Sequence, residues 1–247
     1  MANYGVIDLG SNSVRLVIFD VKDGINKKKP ITCKDFRSII NDKVMAGLSA
    51  YVDAGEFTPE GIARAVDVLS GHLKRARYFN CVRTDIFATA VLRNCTNSRE
   101  AISAIEKAIG APVNLLSARD EAHLSFTGAS CDRTIEKGTV VDLGGGSTEL
   151  VRVEKGRDFD DVSIGQGSLS SYAGYVEFVM PQASEVEAIE RAFLERVAET
   201  PVDLRKYRAE KLYGVGGSAR AAAKLYAQMT GEPCRPRTLT PAHFDAL

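Results

Sequence analysis

The spacing of apolar residues along the chain changes period several times, and each change marks an element. Residues 4–9 and 14–19 are rich in β-branched and aromatic side chains on either side of Gly10-Ser11-Asn12-Ser13, which predicts two strands joined by a tight hairpin. A third strand is predicted around 31–40, after the basic turn Asn26-Lys27-Lys28-Lys29-Pro30, whose lysines read as a solvated tip. From Thr58 the period lengthens. Ile62, Val66, Leu69, Leu73 and Ala76 share one helical stripe, with Thr58 as N-cap and Pro59 at the first helical position. Next come a strand over 83–88 and a helix from Ser98, with Ile102, Ile105 and Ile109 inward and Gly110 as its stop. A short strand over 113–116 and a helix over 120–129 complete this stretch.

The same order then begins again. Residues 140–151 form another strand, Gly-rich turn and strand, followed by a strand over 161–164. A helix over 184–199 opens with a Ser184/Glu187 capping box, a strand spans 211–215, and a helix over 217–229 is closed by Gly231. Laid with Asp142 on Asp8, residues 140–153 repeat residues 6–19 at Val6, Asp8, Leu9, Gly10, Ser13, Leu16 and Val17. Half of the positions agree, which points to an internal duplication. The predicted domains are therefore 1–123 and 124–247. A last helix starts at Thr240-Pro241, so the second lobe is expected to lack a final strand and helix and to be incomplete.

Composition narrows the function. The 247 residues are 45% hydrophobic, enough for one large core or two ordinary ones, and the duplication decides for two. Lys and Arg number 32, as do Asp and Glu, which argues against a protein held to nucleic acid or membrane by bulk charge. The N-terminus has no basic segment leading into an apolar one, and no run approaches about 18 apolar residues, so a soluble, cytoplasmic protein is expected. Cys33, Cys81, Cys95, Cys131 and Cys234 are odd in number and widely spaced, as reduced thiols would be. His72, His123 and His243 lack metal-ligand spacing.

The candidate chemistry lies in the turns. Each hairpin has an Asp at its strand end and Gly, Ser or Asn at the tip, where backbone N–H groups can approach an anion such as a phosphate. Glycine and asparagine also suit any tight hairpin, but that does not explain a matching Asp and Ser at the same offset. Neither turn is a Walker loop or a dinucleotide fingerprint, because neither Gly-Lys-Ser/Thr nor a helix follows. A third cluster, Gly214-Val215-Gly216-Gly217-Ser218, lies between a strand and a helix and could aim a helix N-terminus at another anionic group.

The hairpin layout resembles the actin/Hsp70/sugar-kinase superfold. Within it, Asp8-Leu9-Gly10-Ser11-Asn12-Ser13, Ala88-Thr89-Ala90-Val91-Leu92-Arg93, Leu116-Ser117-Ala118-Arg119-Asp120-Glu121-Ala122, residues 142–150 and Gly214-Val215-Gly216-Gly217-Ser218-Ala219-Arg220 look like the successive motifs of the exopolyphosphatase/guanosine pentaphosphate phosphohydrolase (Ppx/GppA) family. The resemblance implies an α/β fold of two duplicated actin-like (ribonuclease H-like) lobes with facing phosphate-binding hairpins. It implies Glu121 as general base, activating the water that attacks a terminal phosphorus. Asp120 stands where the family usually carries Glu. Arg93 resembles the family's phosphate clamp, a role its planar fork suits. Ser11, Asn12, Ser13, Gly145, Gly146, Ser147, Gly216 and Gly217 would supply the other donors.

Four carboxylates, Asp8, Glu121, Asp142 and Glu149, would crowd a polyanion. Two like charges about 4 Å apart repel by about 4 kcal/mol at an effective dielectric of about 20, which a divalent cation relieves. All-oxygen ligands and phosphate point to Mg²⁺ or Mn²⁺, with Glu149 the first ligand and Asp142 and Asp8 next. The implied activity is release of terminal orthophosphate from inorganic polyphosphate. Guanosine pentaphosphate is the alternative within the family, less favoured because aromatics are only 7% and the larger members' C-terminal extension is missing. An ATP-dependent kinase of the superfold and a non-catalytic polyphosphate or alarmone sensor are the rivals from other classes. A homodimer is left open.

Overall fold

The computed structural model describes residues 2–22, 32–132, 134–231, 239–240 and 242–243. The lysines of the basic turn, Cys234 and most of the helix expected from Thr240 lie outside the described residues. The chain divides into two compact units, residues 1–121 with 130–134, and residues 122–129 with 135–247.

The first unit contains β1 (Ala2–Leu9), β2 (Ser13–Val21), β3 (Phe36–Met45), β4 (Val52–Asp53), β5 (Glu56–Phe57), α1 (Pro59–Tyr78), β6 (Cys81–Ala88), α2 (Ala90–Arg93), α3 (Ser98–Ile109) and β7 (Asn114–Leu115). Its main sheet runs β3-β2-β1-β6-β7, with β1 antiparallel to β2 and parallel to β6. Ile7 and Leu9 lie directly across from Leu16 and Val14, and all four are fully buried in one core with Leu69, Ile86 and Ile105. Thr58 caps α1 through its Oγ1, which accepts from Gly61 N–H at 3.2 Å. The helix presents Ala65, Val68, Leu69, His72, Leu73 and Ala76 to the core, so the predicted stripe is rotated and Ile62 and Val66 sit at its margin. The third strand begins at Phe36 rather than near 31, because Thr32 and Asp35 form a turn in which Asp35 Oδ2 accepts from Thr32 N–H at 2.8 Å and from its hydroxyl at 2.9 Å.

α4 (Ala118–Asp132) links the two units. The second unit continues with β8 (Lys137–Leu143), β9 (Thr148–Glu154), β10 (Arg157–Ile164), α5 (Ser168–Tyr175), α6 (Ala183–Glu199), β11 (Leu212–Val215) and α7 (Gly216–Thr230). Its sheet order β10-β9-β8-β11 repeats β3-β2-β1-β6, including the parallel fourth strand. The duplication read from the hairpins thus extends to the topology of both sheets. Ala122 and Phe126 of α4 pack with Val140, Val151 and Val153. The capping of α6 differs from expectation. Glu185, not Glu187, takes the N-terminal N–H groups, accepting from Gln182 at 2.7 Å and Glu177 at 3.0 Å, and these bonds hold its carboxyl below the usual range.

His72 is fully buried in the first unit. Its Nε2 lies 3.2 Å from Val14 O, and its Nδ1 lies 3.5 Å from Asp42 Oδ2, which also pairs with Arg75 at 2.9 Å. Burial pushes the imidazole below its ordinary value, against the upward pull of Val14 O and Asp42 and with a smaller downward push from Arg75. The unfolded chain therefore binds this proton at a higher pH than the folded one. Stability from this group is complete above about pH 6.5 and is lost as pH falls below it. Urea midpoints should fall between pH 7.5 and 5.5, and His72→Gln should flatten that slope; an unchanged slope would contradict the assignment.

Candidate active site

The two Gly-rich loops are closed and anchored alike. Gly10 N–H donates to Ser13 O at 3.2 Å, and Gly144 N–H to Ser147 O at 3.0 Å. The segment after each third strand then takes up the loop carbonyls. Asn12 O accepts from Ala46 and Gly47 at 2.9 and 2.8 Å, and Ser11 O from Ser49 at 2.8 Å. In the second unit Gly145 O accepts from Leu169 and Ser170, both at 2.9 Å, and Gly144 O from the N–H and hydroxyl of Ser168 at 2.9 and 3.0 Å. Among the described residues, the N–H groups of Ser11, Asn12, Gly145 and Gly146 donate to no backbone carbonyl. Loops whose carbonyls are tied back and whose N–H groups donate to no backbone carbonyl suit an anion. Ser147 is buried, whereas its counterpart Ser13 is only half-buried.

Gly167, at the N-terminus of α5, permits the second of these anchors. A Cβ there would lie 2.6 Å from Gly144 O and 2.7 Å from both the carbonyl carbon and oxygen of Gly145. Sequence reasoning missed this residue, since a single Gly between a strand and a helix carries no signal of what approaches it.

In the first unit the structure brings Arg93 and Glu121 together. Arg93 stands at the end of the single-turn α2, and its Nη1 donates to Glu121 Oε2 at 2.7 Å and to Leu116 O at 3.2 Å. Both side chains are about four-fifths buried, with 18% and 21% exposed. Glu121 lies in the first turn of α4, which starts two residues before the predicted position because Ser117 and Asp120 cap it reciprocally. Ser117 Oγ donates to Asp120 Oδ2 at 2.6 Å, and Asp120 N–H donates to Ser117 Oγ at 3.1 Å. Asp120 thus holds the helix end, while Glu121 reaches Arg93.

In the second unit Asp142 and Glu149 lie directly opposite each other on β8 and β9, and Ser163 of β10 lies opposite Glu149. Directly paired residues project on the same face. Glu149 is 2% exposed and accepts from Ser163 Oγ at 2.9 Å; Asp142 Oδ2 accepts from Ser125 Oγ of α4 at 2.5 Å. Gly216, with φ of +85°, opens α7 against Asp142, and a Cβ there would lie 2.9 Å from Asp142 Oδ1. Around Gly217 nothing lies within 4 Å of such an atom. In the first unit the same cross-strand position is taken by Arg15, opposite an exposed Asp8.

Among the described residues no three His, Cys, Asp or Glu side chains gather as a metal cage. Mg²⁺ does not need one, since it commonly takes one or two carboxylates and completes its shell with water and substrate phosphate. The paired Asp142 and Glu149, with space kept beside Asp142 Oδ1 by Gly216, fit that pattern. No helix among the described residues is long and apolar enough to cross a membrane, and Cys33, Cys81, Cys95 and Cys131 are free thiols.

Comparison with known proteins agrees with the fold. The sequence model described as the Ppx/GppA phosphatase family matches residues 17–247. Exopolyphosphatase 2 of Mycobacterium tuberculosis is 30% identical over 159 residues, 61% of this chain and 48% of that protein, so the chain spans about half the length of this curated relative. The crystal structure of an exopolyphosphatase from Cytophaga hutchinsonii superposes with a TM-score of 0.79 at 21% identity, covering 99% of this chain and 78% of that one. The Aquifex aeolicus Ppx/GppA family member does so with a TM-score of 0.69 at 23% identity, covering 98% and 72%.

Proposed function

The chain belongs to the Ppx/GppA phosphatase family, and from that premise we propose that it is a phosphoanhydride hydrolase releasing terminal orthophosphate from inorganic polyphosphate. The observation that carries this reading is the Arg93–Glu121 pair, 28 residues apart in sequence and 2.7 Å apart in space. That contact supports reading Glu121 as the base for water and Arg93 as the clamp for phosphate. Glu121 orients a water and takes its proton as the water oxygen bonds to the terminal phosphorus. The bond from that phosphorus to its bridging oxygen breaks, and orthophosphate leaves a chain shorter by one unit. The candidate donors to the phosphoryl oxygens are Arg93, Ser13 and the N–H groups of Ser11 and Asn12 in the first unit, and Ser147, the N–H groups of Gly145 and Gly146 and the Gly216-Gly217 turn in the second.

Glu149 would be the first ligand of Mg²⁺, or of Mn²⁺ in its place, with Asp142 beside it in the second unit; Asp8 of the first unit is the remaining candidate. When bound, the cation neutralises phosphate oxygens. Polyphosphate is favoured over guanosine pentaphosphate because the 30% identical relative is named an exopolyphosphatase and this chain has few aromatics to stack a base. Orthophosphate release measured in parallel on both substrates, with Mg²⁺ and with EDTA, tests the reading. Faster release from polyphosphate, abolished by EDTA, is expected. Faster release from guanosine pentaphosphate would reassign the substrate, and Mg²⁺-dependent binding without turnover would make the chain a sensor.

A further inference from the structure

Two serine hydroxyls, from elements far apart in sequence, each engage one carboxylate of the Asp142–Glu149 row. Ser125 sits on α4, over the face of the sheet where Ala122 and Phe126 pack against Val140 and Val151. Ser163 sits on β10 as the direct cross-strand neighbour of Glu149. Its hydroxyl meets Oε1 of a carboxylate that is 2% exposed. A free carboxylate can rotate about its last side-chain torsion, so two neighbouring carboxylates would turn apart to reduce their repulsion. A hydroxyl donor on each fixes that rotation and offsets part of the cost of burial.

We propose that Ser125 and Ser163 are positioning residues that hold Asp142 and Glu149 in the orientation that takes up a divalent cation. Neither serine touches the cation or substrate. Each acts through the carboxylate it donates to, and this rests on the reading of Asp142 and Glu149 as the cation's ligands. Partners that orient metal-binding carboxylates typically account for about 10–100-fold in metal affinity.

The test is Mn²⁺ binding to the full chain without substrate, followed by electron paramagnetic resonance of the free ion. Ser163→Ala and Ser125→Ala should each weaken Mn²⁺ binding by about 10-fold or more. Ser163→Thr, which keeps the hydroxyl, should restore most of the affinity. Turnover of Ser163→Ala at saturating Mn²⁺ should return to within a few-fold of wild type, whereas the Mn²⁺ concentration for half-activation should rise. Circular dichroism melts establish that each variant is folded. Wild-type Mn²⁺ affinity in both alanine variants, together with loss of binding in Glu149→Gln, would overturn the positioning role and leave the ligand assignment standing. Unchanged Mn²⁺ binding in Glu149→Gln would overturn both.

Discussion

Glu121→Gln should lower orthophosphate release from polyphosphate by about 10²–10⁴-fold, the range typical for loss of a positioned general base. The substitution separates chemistry from architecture. Gln keeps the length and planar end of Glu, and its amide oxygen can still accept from Arg93 Nη1, which in the wild type donates to Glu121 Oε2 at 2.7 Å. Arg93 is also held by Leu116 O at 3.2 Å, so the proposed clamp should stay in place. The helix end is untouched, because Ser117 and Asp120 cap it without Glu121. What Gln cannot do is take a proton from water. The rate should therefore fall with little change in melting temperature or in polyphosphate affinity. A rate within twofold of wild type would remove Glu121 from the mechanism, and a fall matched by a collapse in the melt would make its role structural.

Where a local pattern determined an element, the sequence revealed it. Thr58-Pro59 and the apolar period that follows marked α1, and Gly110 and Gly231 closed α3 and α7 in the left-handed conformation, at φ of +67° and +70°. The repeated hairpin gave the duplicated sheets because strand pairing follows from two apolar runs and a short turn. α5 went unseen because Ser168–Tyr175 has no apolar stripe and buries none of its residues. Its position comes from bonds to Gly144 and Gly145, which no helical period encodes. The α6 boundary shifted because either Glu185 or Glu187 could have capped it, and only the chain entering from Glu177 decides.

The candidate site divides in the same way. Glu121, Arg93, Asp142 and Glu149 stood in readable motifs, but their pairing did not. Ser125 lies 17 residues from Asp142, and Ser163 lies 14 from Glu149, and nothing local links them. The two halves have also diverged at one informative position: Asp8 faces Arg15 where Asp142 faces Glu149. Aligning the repeats places Arg15 against Glu149. Only the strand register shows that each is the direct neighbour of its Asp, giving the second unit two carboxylates side by side and the first a carboxylate beside a cation.

Gly167→Ala should be among the most damaging single-methyl changes in the second unit. The backbone at Gly167 has φ of −133°, which any residue adopts, so the cost is steric and not conformational. The added Cβ would meet Gly144 O at 2.6 Å and Gly145 C and O at 2.7 Å. These are backbone atoms, unable to swing aside as a flexible side chain can, and their carbonyls accept the N–H groups of Ser168, Leu169 and Ser170. Relief requires moving α5 off the loop, which breaks those bonds and shifts the N–H groups of Gly145 and Gly146. Overpacking of this kind costs about 1–3 kcal/mol, enough to lower the melting temperature by several degrees in a chain of this size. The Michaelis constant for polyphosphate should rise as well, since the displaced loop is the proposed phosphate grip. Gly165→Ala is the matched control: it lies two residues earlier, and nothing is within 4 Å of its added atom. If the two variants melt together and bind substrate equally, the contact between α5 and the loop does not hold the grip in place.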